Sequence, residues 1–164
     1  MMKLFGIAVA SLLVTLAVAA SAQSDANASF EKIKTLEGTW TGKNSMGQPL
    51  KVVFRTTSSG SALMSEIEGK EDMISMFHLD GDRLMMTHYC GAGNQPRMRA
   101  HASPDGKTFT FEFFDGTNIV APHAGHMQRM VLTIVDENHH VEDWTFLQED
   151  GKQLSEHFEL QRKG

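Results

Sequence analysis

The sequence predicts an all-β domain: an antiparallel up-and-down β-barrel of about ten strands behind a short N-terminal helix. Three observations carry that expectation. After Gly38, short runs rich in Val, Thr, Phe and Met alternate with Gly, Asp, Asn and Pro at hairpin intervals. Several of these runs alternate apolar and polar residues with the two-residue period of a strand. The apparent connections are short, which favours a meander over Greek-key crossings, and closing the sheet on itself hides its edges. A two-sheet sandwich is the runner-up.

The elements follow in order. Met1–Lys3 is a mildly basic start, Leu4–Ala20 is an apolar run, and Ala20-x-Ala22 offers a small-residue cleavage site. That order describes a secretory signal peptide, so residues 1–22 are read as signal and 23–164 as one barrel domain. The run falls short of the roughly 20 apolar residues of a membrane span. No cysteine at the cleavage site invites lipidation. The expected location is therefore secreted or periplasmic.

Residues 24–29 form a small, polar lead-in. Phe30, Ile33 and Leu36 then share one helical face, with Ser29 placed to cap it, which predicts one or two helical turns. Strands are predicted at Thr39–Lys43, Leu50–Thr57, Ser61–Glu68, Asp72–Leu79, Arg83–Cys90, Pro96–His101, Thr108–Phe114, His126–Val135, His139–Gln148 and Gln153–Leu160. Asp80-Gly81, Asp105-Gly106 and Asp150-Gly151 supply turn chemistry, since tight hairpins need the positive φ that glycine adopts without steric cost. Only the stretch from Phe114 to Gly125 reads as a longer loop.

Strand parity predicts an enclosed interior. Leu50, Val52 and Phe54 share a face, as do Phe109, Phe111 and Phe113, and again Trp144 and Phe146. "MISMFHL" and "LMMTHYC" carry large apolar groups on both faces, which suggests either a covered outer wall or a homodimer contact.

Composition narrows the function. The chain holds 15 Lys and Arg against 20 Asp and Glu, a net charge of −5, and the signal segment removes only Lys3. That balance argues against a sequence-independent grip on nucleic acid and against an anionic membrane surface. Cys90 is the chain's only cysteine, so the domain must rely on its apolar core for stability.

At "LEGTWTGK" the chain resembles the calycin superfamily, through Gly38-Thr39-Trp40 entering the first strand behind a short helix. That group includes lipocalins, fatty-acid-binding proteins and the haem-binding nitrobindins. The resemblance implies a barrel holding a small hydrophobic or amphipathic ligand, with Trp40 sealing the closed end. "HYCGAGNQPRMRAH" and "PHAGHMQRM" are similar to segments of small secreted bacterial lipocalin-like proteins of unknown function. The lipocalin disulfide is missing here. Nitrobindin-like barrels hold haem through a late-strand histidine, but His157 alternates opposite Phe158 and Leu160 and so faces outward. No cofactor is expected.

Two constellations could carry chemistry. Arg97, Arg99 and Arg129, beside Asn94, Gln95 and Trp144, could line a cavity and clamp a carboxylate head group, a geometry that the planar guanidinium fork suits. Alternatively His88, Cys90, His123 and His126 offer the N and S donors of a metal site, with His123-x-x-His126 in a loop. The 11 methionines read better as adaptable core filler than as copper ligands. Catalysis is the weaker reading: no nucleophile elbow is present, and Glu71-Asp72, Asp136-Glu137 and Glu149-Asp150 lie in or beside turns.

Overall fold

The computed structural model of the chain describes residues 25–69, 72–121 and 124–164. The predicted signal segment, residues 1–22, and His123 lie outside the described residues.

A helix, α1, covers residues 25–34. Ala26, Phe30 and Ile33, with Leu36 just beyond, are buried on one face. Ser29 was expected to cap this helix but lies inside it, because Ala26 carries the apolar stripe back one further turn. Ten strands follow: β1 (Gly38–Lys43), β2 (Pro49–Thr57), β3 (Ala62–Glu68), β4 (Met73–Asp80) and β5 (Arg83–Tyr89), then β6 (Gln95–Ala102), β7 (Thr108–Thr117), β8 (His126–Ile134), β9 (His139–Leu147) and β10 (Gln153–Arg162). Each strand pairs antiparallel with the next, and β10 returns to β1, so the sheet closes as an up-and-down barrel. The sandwich alternative is overturned by that closure.

The expected strand positions hold to within a residue or two except at β7. That strand continues past Phe114 to Thr117, because a bulge restores pairing: Met98 faces Phe113 while Arg97 faces Asp115. A second bulge lies in β8 between Met127 and Arg129. Both bulges stand toward the same end of the barrel. Extra residues of this kind bend a strand and re-aim its side chains at a rim. Cys90 falls outside β5, in the turn to β6, where its N–H meets Asn94 O at 3.1 Å.

The two ends of the barrel differ. α1 plugs one end, together with the β2–β3, β4–β5, β6–β7 and β8–β9 connections. Trp40 is completely buried there, and its indole donates to Leu36 O at 2.7 Å. The guanidinium of Arg162 lies 4.2 Å over the Trp40 ring and donates to Thr35 O, Glu37 O and Glu137 O at 2.8, 2.6 and 2.9 Å. The seam between β1 and β10 depends on Gly42: a Cβ there would stand 1.9 Å from Glu159 O. Above this plug, Phe54, Phe77, Phe109, Phe111, Met86 and Met130 fill the barrel with their own side chains. Methionine serves as filler, as its flexible thioether allows. What room for a guest the barrel keeps must lie toward the other end.

Candidate functional site

The inward positions of β9 are His140, Glu142, Trp144 and Phe146, running from the plugged end toward the open end. Opposite them on β10 stand Leu160, Phe158, Glu156 and Leu154. Polar and apolar groups therefore alternate along the inner wall, and the polar ones must find partners or remain costly.

Glu142 is satisfied. Its carboxylate accepts from the Trp144 indole at 2.9 Å and meets His140 Nε2 at 3.2 Å, both bonds being buried. This chain ties the open half of the barrel to the plug, since the His140 ring meets Trp40 edge-on at 4.2 Å. On the facing wall Ser75 and His88 are register partners on β4 and β5, with Ser75 Oγ 2.9 Å from His88 Nδ1. The His88 ring lies 4.9 Å from the ring of Trp144. Burial pushes His88 down to about 4, so its imidazole is neutral at ordinary pH. A hydroxyl–imidazole pair supplies two of the three members of a nucleophilic triad; among the described residues no carboxylate orients the other nitrogen.

Several buried polar atoms in this half have no partner among the described residues. His88 Nε2 and Glu156 Oε2 flank Trp144, and neither satisfies the other. Asn94 Oδ1, at the rim, is also buried and unpartnered. The Asn94 amide orientation is fixed because its Nδ2 donates to Gly125 O at 2.7 Å; the flipped form would set two oxygens together. Each such orphan costs about 1–3 kcal/mol if nothing covers it. His140 Nδ1 is likewise unpartnered but faces the rings around Trp40 and Phe54.

At the rim, a cleft of about 540 Å³ is lined by Asn94, Asn118, Val120, Gly125, Phe146 and Glu149, among others. Phe146 belongs to the inner wall and stands one inward position along β9 from Trp144. Gly125 permits the close fit: a Cβ there would stand 3.0 Å from the Phe146 ring. Side chains brace the loops around it. Gln95 Oε1 accepts from Thr117 and Asn118 at 2.7 and 3.1 Å, joining the β5–β6 corner to the β7–β8 loop. Val120 and Leu154 leave large apolar surface exposed at this rim.

The expected site residues divide into two groups. Trp144, Asn94 and His88 come together around the open half, with Gln95 bracing the rim. The three arginines stand on the outer wall instead. Arg97 forms a bidentate pair with Asp115, Arg99 lies 4.5 Å over the Phe114 ring, and Arg129 is exposed. Alternation with the inward Met98, Ala100 and Met130 turns each of them away from the interior. Of the proposed metal donors, His88 lies inside the barrel, Cys90 lies in the β5–β6 turn and His123 is outside the described residues. His126 places Nδ1 2.8 Å from Ala124 O and Nε2 3.1 Å from the Gln128 side chain. Among the described residues no group of three or more His, Cys, Asp or Glu could hold a metal ion. His157 faces outward and meets Asp143 at 2.6 Å.

Glu156, Ser75 and Arg162 went unnoticed in the sequence. The signal for Glu156 was present: a charged residue in phase with Leu154, Phe158 and Leu160. For Ser75 and Arg162 only three-dimensional pairing supplies it.

No family model and no curated protein matches the chain in sequence. Solved structures do resemble it. Rv2717c from M. tuberculosis superposes with a TM-score of 0.56 at 14% identity, covering 83% of this chain and 98% of that one. A DUF3598-family protein of unknown function from Nostoc punctiforme gives 0.55 at 12% identity, covering 80% of this chain and 48% of that one. Both likenesses support the barrel fold, consistent with the calycin resemblance, and carry nothing further.

Proposed function

We propose that the protein is an exported binding barrel that takes a small amphipathic ligand through the rim cleft onto Trp144, His88 and Glu156. The observation that carries this reading is a pair of buried atoms, His88 Nε2 and Glu156 Oε2, that find no partner among the described residues and belong to two neighbours of the Trp144 indole on the inner wall. Native proteins rarely leave such atoms bare without a ligand or ordered water to meet them. The exposed apolar rim supports the same reading, because Phe146, Leu154 and Val120 offer surface for a ligand's apolar part. The side chains filling the plugged half restrict the guest to a small molecule rather than a long acyl chain.

Native mass spectrometry of the protein isolated from its own cells tests this directly. A discrete mass above the polypeptide, lost when Trp144 is replaced by Ala, is expected. Polypeptide mass alone, in protein that also leaves the Trp144 fluorescence unchanged when an extract of the same cells is added, would overturn it.

A further inference from the structure

The charges inside the barrel identify the kind of group that the ligand presents. Of the charged side chains at inward strand positions, Glu142 and Glu156 stand along the open half, whereas Arg162 is held in the plug by three carbonyls. Glu142 already has its hydrogen-bond partners in Trp144 and His140. Glu156 Oε2 is buried and bare. Farther up, Asn94 Oδ1 is a second bare acceptor, in a residue 4% exposed, and Glu149 and Asp150 line the same cleft. Lys152, beside this cleft, is taken by Asp150 at 2.6 Å. Arg97, Arg99 and Arg129 stand outside the wall.

A carboxylate entering this cleft would meet acids and acceptor oxygens, and among the described residues that line it no Lys or Arg compensates its lost hydration. An ammonium group would meet the opposite. Its donors match the acceptors on the walls, and the Trp144 ring offers a π-face to a cation. We propose that the ligand's polar end is a small organic cation, a primary amine carrying a short apolar tail, whose ammonium group is held by Glu156 and whose tail packs on Trp144 and Phe146. This assignment rests on the binding-barrel reading above and sharpens it. It replaces the carboxylate head group expected from the sequence.

Three matched probes separate the choices by isothermal titration calorimetry at neutral pH: hexylamine, hexan-1-ol and hexanoate. Hexylamine should bind most tightly and hexanoate least, with a gap of about tenfold or more, the loss of one charge-assisted bond. Glu156→Gln should remove that advantage and leave hexanol binding as it was. The ranking on the unsubstituted protein decides the matter even if the variant does not fold. Hexanoate binding as tightly as hexylamine would overturn the cationic assignment while leaving a binding site in place. Failure of all three probes would overturn the assignment too; a ligand mass retained on the native protein would then show that the binding reading survives without it.

Discussion

The two ends of this barrel are built on opposite principles. At the plugged end the indole of Trp40 is bonded, and Arg162 distributes its donors among three carbonyls over the same ring. At the open end Trp144 is also bonded, yet bare polar atoms flank it and large apolar side chains stand in solvent at the rim. At the plugged end His140 Nδ1 is the bare atom beside Trp40, against the rings; at the open end the bare atoms stand beside Trp144 and at the rim, where a guest could meet them. The difference teaches where to look for function in a fold that many activities share: at the end where satisfaction is incomplete.

The comparison can be broken first at the plug. Trp40→Ala should cost about 3–5 kcal/mol in chemical denaturation, the range for removing a large buried aromatic. A loss below about 1 kcal/mol would mean that Trp40 does not carry the plug. The next effect in size belongs to the open half and appears on acidification. His88 is held near 4 in the folded protein, below the ordinary imidazole value, so the unfolded chain binds its proton first as pH falls. Stability conferred by the neutral imidazole is thus intact above about pH 6.5 and is lost progressively down to about pH 4, by about 3 kcal/mol in total. His88→Gln should flatten that stretch of the profile. An unchanged profile would show that another group causes the acid loss.

Gly42→Ala should open the β1–β10 seam, because backbone and not a movable side chain occupies the space. A cost of about 1–3 kcal/mol is expected, as for overpacking, with faster amide exchange along both strands. The smallest effect is the outermost. Arg97→Ala removes an exposed ion pair with Asp115 and should leave both the melting transition and ligand binding unchanged. Weakened binding there would return the arginine clamp to consideration.

How much of this was legible differs between the same two regions. The meander, the turns at Asp80, Asp105 and Asp150, and the inward phase of Phe54, Phe111 and Trp144 follow from local spacing, which the chain carries on its face. The role of Trp40 was implied by the calycin resemblance at Gly38-Thr39-Trp40 behind the short helix. The open half was not. His88 and Asn94 were noticed as a dense polar stretch, but whether a strand residue points in or out shifts with one bulge. Arg97 and Arg99 share one strand face, which left open whether they and Arg129 line the cavity or face solvent. Their parity with Met98, Ala100 and Met130 would have decided it. The inward phase of Glu156 follows from Leu154, Phe158 and Leu160, but its place beside Trp144 comes from the β9–β10 register, which periodicity alone does not encode.

The chain contains two tryptophans, and each marks one end of the comparison. Indole-selective ¹⁵N NMR of the uniformly labelled protein therefore reports both halves of the barrel in a single titration. On adding hexylamine, the Trp144 Nε1–H signal should shift progressively to saturation while the Trp40 signal stays in place. Movement of Trp40 with Trp144 unmoved, or of neither up to the solubility limit of the probe, would contradict the assignment of the open half as the binding end.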